Sequence, residues 1–208
     1  MGEDKLFADV SGRPLIALTL DAAAESGVFV RVVIAAPSDR HQQLHQLAGA
    51  AGFTDTVVTA GGARRQDSVR NALAYVGNVE IVAVHDAARP LCAPELFVAC
   101  VESARRHGAA TAAVPVVDSI KRGAAGVIVE SLERNDLYAI QTPQAFRRDL
   151  LEAGHRHASS NGLAVDDDAA LVEALGTAVR IVAGSPDNFK VTNPRDLVLV
   201  RALVAARG

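Results

Sequence analysis

The chain has 208 residues and a formal net charge of −3, and half of its residues are hydrophobic. This length is enough for one sizeable core. The weak negative charge excludes a general attraction to nucleic acid or anionic membranes, so a phosphate site must be a local group of Lys and Arg. No apolar run approaches the roughly 18 residues of a membrane span, and the polar start does not resemble a secretory signal. Two cysteines fit buried thiols in a reducing compartment. We expect a cytoplasmic protein.

Helix and strand signals alternate along the chain. The predicted helices cover 15–26, 38–51, 67–74, 94–107, 147–159 and 167–175, with a last helix from Pro194. The predicted strands cover 28–35, 56–60, 81–84, 109–114 and 179–183. Such alternation is typical of a parallel sheet layered between helices, so the predicted fold class is α/β.

The alternation breaks at Val117. Short strand-like pieces at 118–121, 126–130 and 138–141 follow one another without a helix between them. They predict a β-arm over about 117–146 that protrudes from a single domain of residues 1–208. The exposed strand edges of such an arm are a surface that a partner subunit can cover.

The stretch 81–90 (IVAVHDAARP) is the first candidate for a site. Its short apolar run suits a strand buried on both faces of a parallel sheet, and ligands bind beyond the carboxyl ends of such strands. That position places His85, Asp86 and Arg89 at the edge of a site. The alternative is that Asp86 caps the next helix and pairs with Arg89 on the surface.

A second candidate is 61–69 (GGARRQDSV), where a strand ends and a helix begins. Two glycines let a ligand approach the backbone, and a helix N-terminus beside two arginines attracts anions. The alternative is a glycine-rich turn with a serine cap.

Three further polar groups suit a phosphate ligand. Arg134 can bind a phosphate with two parallel hydrogen bonds, Thr142 can add a hydroxyl, and Lys190 can supply a compact charge. The alternative is ordinary surface chemistry. The acidic run 166–168 is interpreted as a helix cap rather than a metal cluster. The remaining histidines are expected at the surface: His41, His45, His107, His155 and His157.

Taken in order, several segments resemble one family, the 2-C-methyl-D-erythritol 4-phosphate cytidylyltransferases of the non-mevalonate isoprenoid pathway. They are GGARRQDSV (61–69), VHDAARP (84–90), DSIK (118–121), LERNDLYAIQTPQAF (132–146), DDAALVEALG (167–176) and NFKVTNPRDL (188–197). The resemblance implies a Rossmann-like nucleotidyltransferase sheet with a protruding arm. It also implies transfer of CMP from CTP to the polyol phosphate, with Mg²⁺ and release of pyrophosphate.

The resemblance also implies roles for single residues. Lys5 matches a lysine that stabilises the transition state, and Arg134 and Lys190 match residues that position the attacking phosphate. Asp86 matches an aspartate beside substrate and metal, with Arg89 as its neighbour. Two further groups are implied. Ser119 and Thr142 match hydroxyl groups that the arm offers, across a homodimer, to the active site of the neighbouring subunit. The cytosine-reading turn is expected at Gly62, Ala63 and Ser68.

The chain departs from this family at its start. The family has an apolar strand and an A-A-G-x-G-x-R loop just before the segment that is Met1-Gly2 here, and Asp4 replaces a common proline. We expect that Met1 is an internal methionine of a longer protein. For the chain as it stands we expect a gap in the sheet and weak or absent catalysis. A ribitol 5-phosphate cytidylyltransferase and a non-catalytic remnant of the family are the alternatives.

Overall fold

A computed structural model describes residues 5–207, with side chains up to residue 206. Its helices are α1 (Leu15–Glu25), α2 (His41–Ala50), α3 (Arg65–Leu73), α4 (Pro94–His107), α5 (Arg148–Asn161), α6 (Ala169–Glu173) and α7 (Pro194–Arg207). Its strands are β1 (Asp9–Val10), β2 (Arg13–Pro14), β3 (Val32–Ala36), β4 (Thr56–Ala60), β5 (Ile81–Val84), β6 (Ala109–Pro115), β7 (Ile120–Ala124), β8 (Val127–Leu132), β9 (Tyr138–Arg147) and β10 (Arg180–Ala183). The expectation for Met1-Gly2 lies outside the described residues.

The strands form an α/β structure with a mixed main sheet, which confirms the predicted class. The main sheet has the order β10-β6-β9-β5, and β3 pairs with β4 separately. The β6–β10 and β3–β4 pairs are parallel. Strand β9 runs antiparallel to both of its neighbours, β5 and β6. The expectation that β5 belongs to a parallel sheet is therefore wrong for its pairing with β9.

Small side chains let α4 pack closely on the main sheet. Four alanines of β6 (Ala109, Ala110, Ala112 and Ala113) are at most 1% exposed. Phe97 on α4 and Phe146 on β9 fill the larger spaces on the two faces of the sheet. Cys92 and Cys100 are free, buried thiols, as predicted. Among the described residues, no helix is long and apolar enough to cross a membrane.

A cavity of about 540 Å³ separates the two sheets. Residues of β3, β5, α1, α3 and α4 line it. Within the described residues β3 pairs only with β4, and β5 only with β9. Both strands therefore face the cavity with an edge that lacks a neighbour. This is the gap in the sheet that the resemblance predicts.

The arm is shorter than the predicted range of 117–146. Its exposed part is the hairpin of β7 and β8, with the turn at residues 125 and 126. The second half of β9, residues 141–146, is buried in the main sheet instead. The chain thus returns to the core before Thr142. The peptide bond between Thr142 and Pro143 is cis.

Two helix starts differ from the prediction. Ser38 opens a short 3-10 turn, Ser38–Arg40, and its side chain does not cap the following helix. Helix α3 begins at Arg65, two residues before the predicted start. In consequence Arg65 lies in the first turn of a helix, where its side chain can reach the end of β5.

Candidate active site

The carboxylate of Asp86, directly beyond β5, is surrounded by cations. Its Oδ1 lies 3.0 Å from Nε of Arg65, and its Oδ2 lies 3.0 Å from Nζ of Lys190. Nε of Arg89 approaches Oδ2 to 3.7 Å. Three segments thus converge on one point: the carboxyl end of β5, the start of α3 and the segment before α7. Asp86, Arg89 and Lys190 lie together there, and their roles stay predictions.

The segment that carries Lys190 is fixed to the core by hydrogen bonds. The side-chain amide of Asn188, which is fully buried, donates to Gln141 Oε1 at 3.1 Å and to the Thr142 carbonyl at 2.9 Å. The backbone nitrogen of Val191 donates to the Ala88 carbonyl at 2.8 Å. Lys190 is therefore held beside Asp86 by its backbone, and its side chain remains 39% exposed to a reactant.

Arg89 does not belong to the surface, so the alternative for this turn is wrong. The residue is 9% exposed, and its guanidinium donates to the Asn188 carbonyl at 2.7 Å. Helix α4 begins at Pro94 with Ala93 as its N-cap, so Asp86 does not cap it. Arg89 connects the turn after β5 to the Lys190 segment.

Thr142 lies in the site of its own chain, not on the arm. Its Oγ1 accepts a hydrogen bond from the Asp86 backbone nitrogen at 2.9 Å, and the residue is 4% exposed. Nε2 of His85 faces the Arg89 carbonyl at 3.4 Å, and since a carbonyl only accepts, Nε2 carries the ring proton. Nδ1 of His85 is then the acceptor for the Thr142 hydroxyl at 3.0 Å. The expectation that Thr142 reaches across a dimer is wrong, because its hydroxyl is already used within the chain.

The glycine-rich turn is closed by a serine. The backbone nitrogen of Gly62 donates to Oγ of Ser68 at 2.9 Å. A Cβ on Gly62 would lie 2.3 Å from Cβ of Asp67, a distance that real side chains do not adopt. Ala63 is exposed at the tip of this turn. The turn therefore presents exposed backbone groups beside the start of α3, and its role in binding a nucleotide stays a prediction.

The charges of the cluster set the ionisation of Asp86. Burial opposes the charged form, but Arg65 and Lys190 outweigh it and lower the pKa of Asp86 to about 2. Burial also lowers the pKa of His85 to about 4, so this ring is neutral at pH 7. An anionic Asp86 beside three cations leaves a net positive site, which suits phosphate groups.

Sequence reasoning missed two polar groups of the site. Nη1 of Arg65 lies 2.7 Å from Oδ2 of Asp168, whose side chain is 1% exposed. Arg65 was present in the 61–69 motif, but nothing in that motif distinguishes it from Arg64. The interpretation of 166–168 as a cap holds for Asp167, which accepts from the Ala170 nitrogen at 2.9 Å, and is wrong for Asp168.

Three candidates do not join the cluster within this chain. Lys5 is half-buried in a 3-10 turn, Lys5–Phe7, and within the described residues its side chain has no ion pair. Ser119 is exposed at the start of the arm. Arg134 is exposed as well and donates to the Val117 carbonyl. The roles of these three residues stay predictions. His155, expected at the surface, is 5% exposed and therefore buried.

The fold and this site define an α/β nucleotidyltransferase. The model of one family, described as IspD: 2-C-methyl-D-erythritol 4-phosphate cytidylyltransferase, matches residues 1–206. The chain belongs to this family.

Individual relatives agree with the family model. The chain is 40% identical over 204 residues to the 2-C-methyl-D-erythritol 4-phosphate cytidylyltransferase of Bacillus mycoides (strain KBAB4), covering 98% of this chain and 90% of the relative. It is 43% identical over 207 residues to the enzyme of the same name from Frankia casuarinae, covering 98% and 75%. The crystal structure of the enzyme of the same name from Thermus thermophilus matches with a TM-score of 0.81 at 36% identity, covering 97% of this chain and 94% of that one.

Proposed function

We propose that the chain transfers a cytidylyl group from CTP to 2-C-methyl-D-erythritol 4-phosphate and releases pyrophosphate, a step of isoprenoid precursor synthesis. The observation that carries the proposal is the cluster beyond β5, where Lys190 and Arg65 each lie 3.0 Å from Asp86. Membership of the family supports the choice of both reactants.

The chemistry needs positioning and charge rather than a base. A phosphate monoester has a second pKa of about 6, so it is largely a dianion at neutral pH and is already a nucleophile. One of its oxygens forms a bond to the α-phosphorus of CTP, and the bond from that phosphorus to the bridging oxygen breaks, so that pyrophosphate leaves. Cations aimed at the reacting phosphates stabilise the charge that develops. Lys190 is the exposed cation for this task, and Arg89 holds the turn of Asp86 in place.

The glycine-rich turn is the proposed contact for the cytosine ring. Gly62 and Ala63 offer backbone groups, and Ser68 fixes their geometry through the Gly62 nitrogen. Backbone donors and acceptors held in one geometry can distinguish the edge of one base from another.

Asp86 is the proposed protein ligand for Mg²⁺. Mg²⁺ binds through one or two carboxylates together with phosphate oxygens and water, so one carboxylate is sufficient. Oδ1 of Asp86 contacts Arg65 and Oδ2 contacts Lys190, each at 3.0 Å, and each oxygen keeps a further lone pair that can bind a metal ion. Among residues 5–206, no group of three acidic, His or Cys side chains could hold a metal instead. When bound, Mg²⁺ neutralises charge on the triphosphate.

We also propose a homodimer formed through the arm. Three successive residues of β8, Val127, Ile128 and Val129, are between 56% and 65% exposed, which is unusual for apolar side chains on a strand. A second copy that covers them can bring its Ser119 and Arg134 to the site. The two buried free thiols support a reducing, cytoplasmic location.

The experiment is a CTP-dependent product assay. The purified chain is incubated with CTP, Mg²⁺ and 2-C-methyl-D-erythritol 4-phosphate, and the CDP-polyol and pyrophosphate are measured. A parallel assay uses ribitol 5-phosphate as the substrate, and the Asp86→Asn variant is the inactive control. The same assay is run on the chain extended upstream by the strand and loop typical of the family. The proposal is overturned if neither form makes the CDP-polyol, or if ribitol 5-phosphate is the better substrate.

A further inference from the structure

One guanidinium connects Asp86 to a second carboxylate in the core. Nε of Arg65 contacts Asp86 Oδ1 at 3.0 Å, and Nη1 of the same side chain contacts Asp168 Oδ2 at 2.7 Å. The two carboxylates lie far apart in the sequence, and Arg65 bridges them. A guanidinium presents its donors in a rigid fork, so binding at one side fixes the direction of the other.

The position of Asp168 indicates that holding Arg65 is its task. Asp168 precedes α6 but makes no capping hydrogen bond with its side chain. Instead the buried Gln144 accepts from the backbone nitrogens of Asp168 and Ala169 at 2.9 and 3.2 Å, and Asp167 caps Ala170. The carboxylate of Asp168 is thereby free to face Arg65. A buried carboxylate is costly without a cation. In the described part of the chain Asp168 faces Arg65 at 2.7 Å and the ring of His155, whose Nε2 lies 3.9 Å from Oδ1. Burial lowers the pKa of His155 to about 4, so its ring is neutral at pH 7 and Arg65 is the cation that balances this carboxylate.

We propose that Arg65 is a positioning residue: the buried Asp168 holds its guanidinium, which in turn holds Asp86 with Oδ2 directed at Lys190 and the reactants. Arg65 cannot turn away to bind a phosphate itself while Asp168 holds Nη1. The proposal rests on the proposed function for the identity of the reactants, but the arrangement of the three side chains does not depend on it.

The test uses Asp168→Asn, which keeps the size of the side chain and the two backbone bonds to Gln144. The matched control is Asp167→Asn, next to it in sequence, which keeps a capping oxygen and does not touch Arg65. The first measurement is the exchange of the Arg65 Nε–H proton with water by NMR. We expect slow exchange in the parent chain and in the control, and faster exchange in Asp168→Asn.

The second measurement is the split between kcat and KM. Displacement of a positioned group costs about 10- to 100-fold in rate, so we expect kcat of Asp168→Asn to fall by this factor with little change in KM for CTP. Arg65→Lys keeps the charge but cannot bridge two carboxylates. It is expected to fold with a lower melting temperature, because one of the two carboxylates loses its donor, and to lose kcat equally. A merely structural ion pair would keep the parent kcat with lysine.

The outcomes separate the two proposals. If neither the parent chain nor its upstream extension makes product, the proposed function fails, and proton exchange still decides the role of Asp168. The positioning role is overturned if Asp168→Asn keeps the parent exchange rate, or if Asp167→Asn changes it equally. It is also overturned if an active Arg65→Lys variant keeps the parent kcat.

Discussion

The hydroxyl of Thr142 accepts a hydrogen bond from the backbone nitrogen of Asp86 at 2.9 Å, although the two residues are 56 positions apart. The same hydroxyl donates to Nδ1 of His85 at 3.0 Å. A single side chain of β9 therefore fixes the turn that carries the central carboxylate of the site. The antiparallel pairing of β9 with β5 makes this contact possible, because it brings Gln144 opposite Val84 at the end of the strand.

Replacement of Thr142 by valine is expected to destabilise the fold and to impair catalysis. Thr142→Val keeps the shape but leaves the Asp86 N–H and the His85 nitrogen without their partner, and an unsatisfied buried polar group costs about 1–3 kcal/mol. Urea unfolding measures the loss, and the product assay measures kcat. Thr142→Ser keeps the hydroxyl and serves as the control. A valine variant as stable and as active as the serine variant would contradict this view of the contact.

Replacement of Gly62 by alanine is expected to weaken CTP binding. The added Cβ would lie 2.3 Å from Asp67 Cβ, 2.8 Å from the Asp67 carbonyl carbon and 2.9 Å from the Ser68 nitrogen. The turn must move to relieve these contacts, and the bond from the Gly62 nitrogen to Ser68 is lost with it. We expect KM for CTP to rise about tenfold or more, since small displacements of binding groups have effects of this order.

The neighbouring glycine provides the control for this experiment. A Cβ on Gly61 has its nearest contact 3.6 Å away, at Ser68 Oγ, which is an ordinary van der Waals distance. Gly61→Ala should therefore bind CTP like the parent chain. Equal effects of the two alanines would mean that the turn responds to backbone stiffness in general and not to the contact at Gly62.

Signals within a few residues predicted where helices and strands lie along the chain. They did not predict which strands pair with each other in the sheet. Pro94 starts α4 and Gly27 follows the end of α1, because both signals act through the backbone of a few residues. The same rules do not predict that β9 inserts antiparallel beside β5, since this pairing joins residues about 60 positions apart or more. Thr142 was assigned to the arm for this reason.

The residues of the candidate site were also predictable only where a local motif marks them. Asp86, Arg89 and Lys190 were found because each follows a strand or precedes a helix in a recognisable motif. Arg65 and Asp168 were missed because their partnership spans 103 positions and gives no periodic signal. Charged residues that act through a buried partner are identified only when the fold brings them together.

The buried His155 is expected to make stability depend on pH. Burial, with the charges of Arg70 and Arg65, lowers its pKa to about 4. The unfolded chain binds a proton near pH 6.5, so the stability contributed by the neutral ring is complete above about 6.5 and is lost as the pH falls through about 4. His85 behaves in the same way. Each ring adds a slope of about 1.4 kcal/mol per pH unit within this window.

His155→Gln removes one of the two histidines that take up a proton when the chain unfolds in this pH range. Urea unfolding at several values between about pH 6.5 and 4 should show a slope lower by about one proton than in the parent chain, that is, about half of the histidine contribution. Above about pH 7 the two slopes should coincide. Parallel curves throughout the window would show that His155 protonates in the folded chain without a penalty.

Two inactive variants are expected to restore activity when they are mixed. Lys190→Ala disables the site of its own chain, and Arg134→Ala disables the arm that we propose acts on the partner subunit. A mixed dimer then contains one site with both residues intact. Random exchange makes half of the dimers mixed, so the mixture should regain about a quarter of the parent activity.

The result depends on which subunit supplies Arg134. If Arg134 acts within its own chain, every site of the mixed dimer lacks one of the two residues, and mixing restores nothing. Light scattering on each variant checks that both form dimers. A monomeric parent chain with full activity would exclude the proposed dimer surface at Val127, Ile128 and Val129.

The unpaired edges of β3 and β5 predict that an added strand stabilises the chain. Both edges expose backbone N–H and C=O groups to one cavity, and such groups are costly without partners. An apolar strand placed there would pair with both edges and join the two sheets. Its end would lie beside His85, Asp86 and Ala87, which line the same cavity, so a glycine-rich loop that follows it would reach the site.

This prediction is tested with the chain extended upstream by an apolar strand and the A-A-G-x-G-x-R loop, against an extension of equal length made of Gly and Ser. Each kcal/mol of added stability raises Tm by about 2–4 °C for a chain of this size, so we expect a clear increase for the apolar extension alone. Hydrogen exchange should slow at the amides of β3 and β5 and not in the arm. Because the gain arises from backbone pairing, a rise in Tm without slower exchange at these two strands would place the extension elsewhere on the surface.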